Sequence, residues 1–150
     1  MHALICAKHQ RHLIGFGRFN KSKETFDFLG FTHMNGVNIN GKYKLIHNTA
    51  SKKLKAKMQT AKAWLHEQCH EKPAEIIRKL NVKLVGHYRY YGISDNYNKI
   101  KSFKNYCRKQ LYTVLNRRSQ KKLTWEKFNR ILEFNPIALP KIYFSMWQNE

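Results

Sequence analysis

Residues 86–92 concentrate rings and positive charge in one segment: Gly86-His87-Tyr88-Arg89-Tyr90-Tyr91-Gly92. Lys and Arg then recur as far as Lys122, with Trp125 just beyond. Rings offer stacking surfaces for unpaired bases and cations neutralise phosphates, which is what single-stranded or irregular RNA requires of a protein surface. For any single ring, an amphipathic helix with its tyrosines in a core explains the same pattern. The stretch as a whole favours nucleic-acid binding, whereas core packing is the favoured interpretation for each single ring.

The charge of the whole chain supports this interpretation. Its 150 residues contain 29 Lys or Arg against 9 Asp or Glu, a formal net charge of +20 with an isoelectric point near 10.1. Self-repulsion of that size opposes compaction, so a polyanion is expected: RNA, DNA or an anionic membrane surface. Residues 51–150 hold 22 of the basic and 7 of the acidic residues, a net charge of +15, and are the expected docking region.

Acidic residues are too few and too scattered for metal-dependent phosphoryl transfer. Asp27 and Asp95 are the two aspartates, and neither an Asp-Asp pair nor a GxxxxGK(S/T) segment occurs. Two-metal transfer needs clustered carboxylates to hold both cations. Glu67 and Glu71 have ordinary helix-surface spacing and do not suggest an acid–base pair. We therefore expect no catalytic residue, no metal site and no cofactor.

A weak metal signal comes from His66, Cys69 and His70, which would share one helix face at spacings i, i+3 and i+4. Zinc accepts such ligands, but a fourth at matching spacing is missing, so ordinary helix-surface residues are the favoured interpretation. The cysteines, which also include Cys6 and Cys107, are odd in number and form no CxxC pair. That pattern is typical of a reducing compartment without a disulfide framework.

The elements that must position these residues begin with a β region. Residues 11–19 alternate loosely between apolar and polar types and predict a strand. Residues 26–33 predict another, in which Gly30 allows a bulge. Residues 37–45 predict a hairpin, because Asn40-Gly41 can supply the two positive-φ residues of a type I′ turn.

From Ser51 onward the apolar period becomes helical, and Ser51 is a candidate N-cap. Pro73 fits the first turn of a second helix and Gly92 ends it. Asp95 and Thr124 are candidate caps for two more helices. The expected inward-facing residues are Leu54, Met58, Ala61, Leu65, Ile76, Ile77, Leu80, Leu84, Tyr88, Ile100, Phe103, Cys107, Leu111, Val114, Leu115, Trp125, Phe128, Ile131 and Leu132. The expected fold is α+β, with small N-terminal antiparallel β hairpins followed by a bundle of three or four helices.

Three segments of the chain carry a resemblance to a known family. They are Phe16-Gly17-Arg18-Phe19 with Glu24-Thr25-Phe26-Asp27-Phe28-Leu29-Gly30-Phe31-Thr32-His33, then residues 86–92, then the basic run at 117–125. In this order and spacing they resemble group II intron reverse transcriptase/maturase proteins. The first looks like the end of the palm, the second like the G-x-x-x-Y-Y-G core of the thumb (domain X), and the third like its basic continuation. The resemblance covers about residues 11–132.

The resemblance implies a palm remnant at residues 1–47, a thumb or maturase-specific domain at 48–135 and a C-terminal tail at 136–150. The family's polymerase carries Tyr-Xaa-Asp-Asp upstream of its FLGF segment, and that motif is missing here. Residues 1–10 fit the family poorly, and no Cys-rich HNH nuclease segment follows. The expectation is therefore a truncated or split reading frame that has lost polymerase chemistry and kept RNA binding.

The expected function is a maturase-type module that binds structured intron RNA and assists splicing, without polymerase activity of its own. The cations expected to contact phosphates are Lys52, Lys53, Lys55, Lys57, Arg89, Lys101, Lys104, Arg108, Arg117, Arg118, Lys121 and Lys122. The rings left open between base stacking and core packing are Tyr88, Tyr90, Tyr91 and Trp125. Residues 117–122 are expected to form a basic loop.

Two alternatives remain open. In the first, the chain is the thumb of an RNA-directed DNA polymerase, which clamps template–primer duplex and uses Mg²⁺ only when a separate palm-bearing N-terminal fragment joins it. In the second, it is a non-functional relic of a mobile element. No apolar run approaches the roughly 20 residues of a spanning helix, so no membrane partner is expected. The expected compartment is a bacterial-type cytoplasm, including its nucleoid, or an organelle.

Overall fold

The structure is a computed structural model that describes residues 2–3, 14–15, 24–38, 40–118 and 122–145. The chain divides into two compact units, Met1–Ser51 and Lys52–Glu150. The described part of the first unit is built from antiparallel strands, and α-helices account for most of the second. The expected α+β class, with N-terminal hairpins followed by a helical bundle, is confirmed.

Two antiparallel sheets lie in the described part of the first unit. The short strands β1 (His2–Ala3) and β2 (Ile14–Gly15) pair with each other, and the rest of the strand expected over residues 11–19 lies outside the described residues. The larger sheet contains three strands in sequential order: β3 (Thr25–Phe28), β4 (Phe31–Val37) and β5 (Tyr43–Thr49).

A row of rings crosses the larger sheet. Its register places His33 opposite Phe26 on one side and opposite His47 on the other. The Phe26 and His33 rings stack with centroids 4.6 Å apart, and the His47 ring meets His33 edge-on at 4.7 Å. Such cross-strand ring pairs are the unit from which a small sheet draws its stability.

The turn between β3 and β4 corrects the expected strand over residues 26–33. The chain reverses at Leu29 and Gly30, which have φ angles of 49° and 84°, while Phe28 pairs with Phe31 across the turn. Two central residues with positive φ are the geometry of a type I′ hairpin turn. Gly30 therefore serves a reversal of the chain and not a bulge within one strand.

The turn between β4 and β5 confirms the second hairpin but corrects its length. Asn38 N donates to Lys42 O at 2.8 Å, Gly41 N donates to Asn38 O at 3.0 Å, and Gly41 has a φ of 72°. The loop thus closes between Asn38 and Lys42, one residue longer than a two-residue type I′ turn. A tight turn completed by a left-handed glycine is the next most common hairpin loop.

The second unit is built on helices, the first of which starts at Ser51, the last residue of the first unit. The helices are α1 (Ser51–Glu67), α2 (Pro73–Tyr91), α3 (Tyr97–Arg118) and α4 (Trp125–Phe134). Short 3₁₀ turns over Gln68–His70 and Ser94–Asn96 precede α2 and α3. Pro73 occupies the first turn of α2, where its missing N–H costs nothing. Thr124 Oγ1 accepts from Lys127 N at 3.4 Å, as expected of an N-cap.

The predicted apolar stripes supply the core of the helical unit. The predicted inward-facing residues that are buried are Leu54, Leu65, Ile76, Ile77, Leu80, Leu84, Tyr88, Ile100, Phe103, Cys107, Leu111, Val114, Leu115 and Phe128. Met58, Ala61, Ile131 and Leu132 are half-buried. Trp125 was expected to point inward and is instead 51% exposed.

Residues 136–138 are fastened to α2 by polar contacts. Asn81 Nδ2 donates to Pro136 O, and Asn81 Oδ1 accepts from Ala138 N, both at 2.8 Å. Tyr88, which is fully buried, donates its hydroxyl to Ala138 O at 3.1 Å. The C-terminal segment is therefore part of the packed structure of this unit.

Residues 141–144 approach the end of α2 so closely that only glycine fits there. Gly92 O accepts from Tyr143 N at 2.7 Å and from Phe144 N at 3.0 Å. A Cβ placed on Gly92 would lie 2.7 Å from Lys141 O and would also overlap Tyr88 O. The second glycine of the 86–92 segment is thus required by packing.

We expect Asn81→Ala to lower the free energy of unfolding by about 1–3 kcal/mol, because two hydrogen bonds to residues 136–138 are lost together. Asn98→Ala, an exposed position on α3, is the matched control and should stay within about 0.5 kcal/mol of the parent chain. Urea denaturation measures both values. Equal losses in the two variants would contradict the role assigned to Asn81.

Candidate nucleic-acid interface

The lysines of α1 flank its buried stripe and face solvent. Lys52, Lys53, Lys55 and Lys57 are all exposed, whereas Leu54 is buried. At about 3.6 residues per turn, Lys53 and Lys57 lie on one side of the stripe and Lys55 on the other. Within the part of the chain that the structure describes, none of these lysines forms an ion pair with a carboxylate. Their mutual repulsion is therefore not offset inside the fold.

The basic residues of α3 divide into two kinds. Lys101 is exposed and Lys104 is half-buried. Arg108 holds α3 against α4, since its Nη2 donates to Asn129 Oδ1 at 2.9 Å and its guanidinium lies 5.9 Å from the Phe128 ring. Arg108 is thereby engaged within the fold, while the two lysines keep their charge at the surface.

Arg117 and Arg118 form the last turn of α3 and not the basic loop expected over residues 117–122. Both are exposed, and Arg118 Nη1 donates to Glu71 O, which ties the end of α3 to the 3₁₀ turn after α1. Lys122 is exposed, and Lys121 lies outside the described residues. The helical geometry points the two arginine side chains about 100° apart around the axis of α3 at its last turn.

The expected helix face of His66, Cys69 and His70 is interrupted. α1 ends at Glu67, so His66 lies in the helix while Cys69 and His70 belong to the 3₁₀ turn. Among the described residues, no three His, Cys, Asp or Glu side chains are grouped as metal ligands would be. All three side chains nevertheless line one groove of about 390 Å³, together with residues of α3.

The rings of residues 86–92 separate into buried and exposed members. Tyr88 and Tyr91 are 0% and 7% exposed, and burial raises the pKa of both hydroxyls. Tyr90 is 55% exposed, and Arg89 also faces solvent on α2. Tyr88 and Tyr91 are therefore core residues, which leaves Tyr90 as the ring of this segment that a base could reach.

His87 is buried among rings and carries no charge at neutral pH. Its ring centroid lies 4.2 Å from that of Phe103 and 4.7 Å from that of Tyr91, and neither ring nitrogen has a hydrogen-bond partner among the described residues. Burial, with a smaller contribution from the charge of Lys57, lowers the pKa of His87 to about 4. This imidazole acts as an apolar ring of the core and not as a phosphate contact.

Trp125 forms an exposed aromatic surface that other rings support. Its ring stacks on Tyr112 with centroids 4.0 Å apart and planes 6° from parallel, and Phe128 meets it edge-on at 5.7 Å. The Tyr112 hydroxyl donates to Leu123 O at 2.7 Å, so the supporting ring is fixed. The sequence did not predict that Tyr112 supports Trp125. The packing of α4 against α3 creates this contact, and the spacing of the two residues along the chain gives no indication of it.

Comparison with known proteins identified no relative of this chain. The chain matches no family model, and neither the curated proteins nor the solved structures contain a match to it. Among the described helices, none combines the length and the apolar composition needed to cross a bilayer.

We expect the stability of the chain to fall between about pH 6.5 and 4, in part through His87. The unfolded chain binds a proton at this imidazole near pH 6.5, whereas the folded chain binds it only near pH 4. The free energy of unfolding then decreases by up to about 1.4 kcal/mol per pH unit in this window as the pH is lowered.

His87→Phe isolates this contribution because the other histidines are unchanged. The difference in unfolding free energy between parent and variant, measured in urea from pH 8 to pH 4, should be constant above about pH 6.5 and shift in favour of the variant below it. A difference that stays constant down to pH 4 would show that His87 titrates normally in the folded chain.

Proposed function

We propose that this chain is an RNA-binding module of the group II intron maturase type, which holds folded intron RNA while the RNA supplies the splicing chemistry. The observation that carries the proposal is the set of exposed lysines on α1, which no carboxylate neutralises in the described part of the chain. They belong to residues 51–150, where the net charge is +15 from 22 basic and 7 acidic residues. A surface of that kind gains free energy chiefly by releasing counterions from a polyanion.

The choice of RNA as the polyanion rests on the exposed rings. Trp125 and Tyr90 are 51% and 55% exposed, and Trp125 is held flat by Tyr112 beneath it. Ordered exposed rings next to cations are suited to unpaired bases, which folded RNA presents in loops and bulges. The link to maturases rests on the resemblance of residues 16–33 and 86–92 to that family.

In this proposal the RNA would lie along the exposed and half-buried cations of the helical unit. Lys52, Lys53, Lys55 and Lys57 of α1 would contact phosphates, as would Arg89 of α2 and Lys101 and Lys104 of α3. Lys122 and Trp125 would act together near the start of α4, the lysine on a phosphate and the indole on a base. The module needs no cofactor of its own, and Mg²⁺ would serve the RNA or a palm-bearing partner fragment.

We expect binding of a group II intron transcript to weaken steeply with salt, since several phosphate contacts each release counterions. Lys53→Gln with Lys57→Gln should reduce the slope of log Kobs against log salt by about 1.5, from the loss of two contacts at about 0.7–0.9 each. Filter binding between low and moderate salt measures the slope. A flat slope for the parent chain would remove the electrostatic basis of the proposal.

The matched control removes two charges that the fold already neutralises. Arg78 and Lys79 form ion pairs with Glu75 and Glu71, so Arg78→Gln with Lys79→Gln changes the formal charge equally. This control should change the slope much less than the α1 pair does. Equal reductions of the slope in the two double variants would show that net charge alone matters and that α1 is not the docking surface.

A second comparison tests specificity. Preference for the intron transcript over duplex DNA of equal length separates a maturase-type module from a general polyanion binder.

We expect Trp125→Ala to weaken binding of an RNA with unpaired loops by about 1–3 kcal/mol, the usual contribution of one base stacked on an aromatic ring. Trp125→Phe should retain most of the affinity, because a flat ring still rests on Tyr112. Fully paired RNA is the control substrate and should bind all three proteins alike. Equal weakening for loop-bearing and fully paired RNA would instead mark Trp125 as a structural residue only.

A further inference from the structure

A groove of about 390 Å³ lies between the end of α1 and the end of α3, entirely within the helical unit. The described residues that line it are His66, Cys69, His70, Val114, Arg117 and Arg118. Ligand sites in proteins begin at about 300 Å³, so the groove has room for a small molecule or for one nucleotide of a longer chain.

The described part of the lining carries positive charge and no carboxylate. The ends of α1 and α3 each contribute about half a negative charge from their free carbonyls. The guanidiniums of Arg117 and Arg118 contribute two full positive charges, which outweigh both helix ends. Glu71, whose backbone carbonyl accepts from Arg118, has its carboxylate in an ion pair with Lys79.

The two arginines also retain donors for a ligand. Arg118 uses Nη1 to donate to Glu71 O, which fixes the orientation of its guanidinium. A guanidinium has five N–H groups, so the remaining ones are left for another acceptor. Arg117 makes no hydrogen bond or ion pair with the rest of the described chain. His66 and His70 add ring N–H donors on the opposite wall, and Val114 adds an apolar surface.

We propose that this groove is a phosphate-binding site. The planar forks of Arg117 and Arg118 suit the oxygens of a phosphate, with the imidazoles of His66 and His70 as further donors. The phosphate belongs either to an RNA chain or to a free nucleotide, with Val114 against the sugar or base. The RNA source rests on the function proposed above, whereas recognition of phosphate itself does not.

Cys69 provides a reporter inside the groove. Its thiol lines the wall and is half-buried, while Cys107 is fully buried and burial raises the pKa of its thiol to about 12. In a Cys6→Ser chain, iodoacetamide labelling of Cys69 can therefore be followed by peptide mass spectrometry. The probes are inorganic pyrophosphate, AMP and a short single-stranded RNA, each compared with sodium chloride at equal ionic strength.

We expect a bound phosphate to slow labelling of Cys69 about tenfold when the probe is present at ten times its Kd, since only unoccupied protein reacts. Arg117→Gln with Arg118→Gln should abolish this protection. Lys109→Gln with Lys127→Gln, which removes the same charge from exposed positions outside the groove, should preserve it. Arg117→Lys with Arg118→Lys keeps the charge without the forks and should give weaker protection.

The pattern of protection distinguishes the sources of the phosphate. Protection by RNA at concentrations far below those of AMP and pyrophosphate identifies an RNA phosphate, and protection by AMP alone identifies a free nucleotide. Absence of protection by every probe overturns the site, even if the chain still binds RNA in the filter assay. Protection that survives the Arg→Gln pair would also overturn it, because the arginines would then serve only to cap the helix ends.

Discussion

The close approach of residues 141–144 to Gly92 is the constraint on which the helical unit depends. Because Lys141 O lies 2.7 Å from where a Cβ would be, the chain can pass there only over glycine. Asn81 and Tyr88 lie seven residues apart and so share one side of α2, and Gly92 follows the last residue of the helix; these three residues hold residues 136–144 in turn. A neighbouring side of the same helix presents His87 to Phe103 of α3. One helix thereby positions both the C-terminal segment and the helix whose end carries the paired arginines.

The second physical feature is that the charged side chains of the helices lie at the surface, apart from the apolar core. The buried positions of the helices are apolar apart from His87 and Asn96, and the lysines of α1 face solvent. His87 shows the consequence of placing a titratable group in such a fold, because burial and the nearby charge of Lys57 both lower its pKa and keep it neutral. Asn96 is buried but satisfied, since its Nδ2 donates to Tyr91 O at 2.8 Å. The surplus of cations thus remains at the surface, where a polyanion can reach it.

The sequence was sufficient for the features set by local periodicity and was insufficient where distant parts of the chain meet. The stripes of α2 and α3, Pro73 at a helix start and Thr124 as a cap all follow from neighbours within a turn or two. Leu29 in a left-handed conformation could not be foreseen, because leucine rarely adopts it and the pairing of β3 with β4 imposes it. The exposure of Trp125 was likewise missed, since the helical period correctly placed it beside Phe128 but could not show that Tyr112 would cover only one of its faces.

The structure also changes which residues can carry recognition of a nucleic acid. Tyr88 and Tyr91, the paired rings of the segment that first suggested RNA, are buried in the core, so they cannot read bases without unfolding α2. Of the four rings that the sequence singled out, Trp125 and Tyr90 stay exposed, in different helices, while the exposed cations are spread over α1, α2 and α3. Phosphate contacts position a ligand and base contacts specify its sequence. If the chain binds RNA as proposed, a surface with many of the former and few of the latter would select the fold of the RNA, through the arrangement of its phosphates and the few bases that its loops expose.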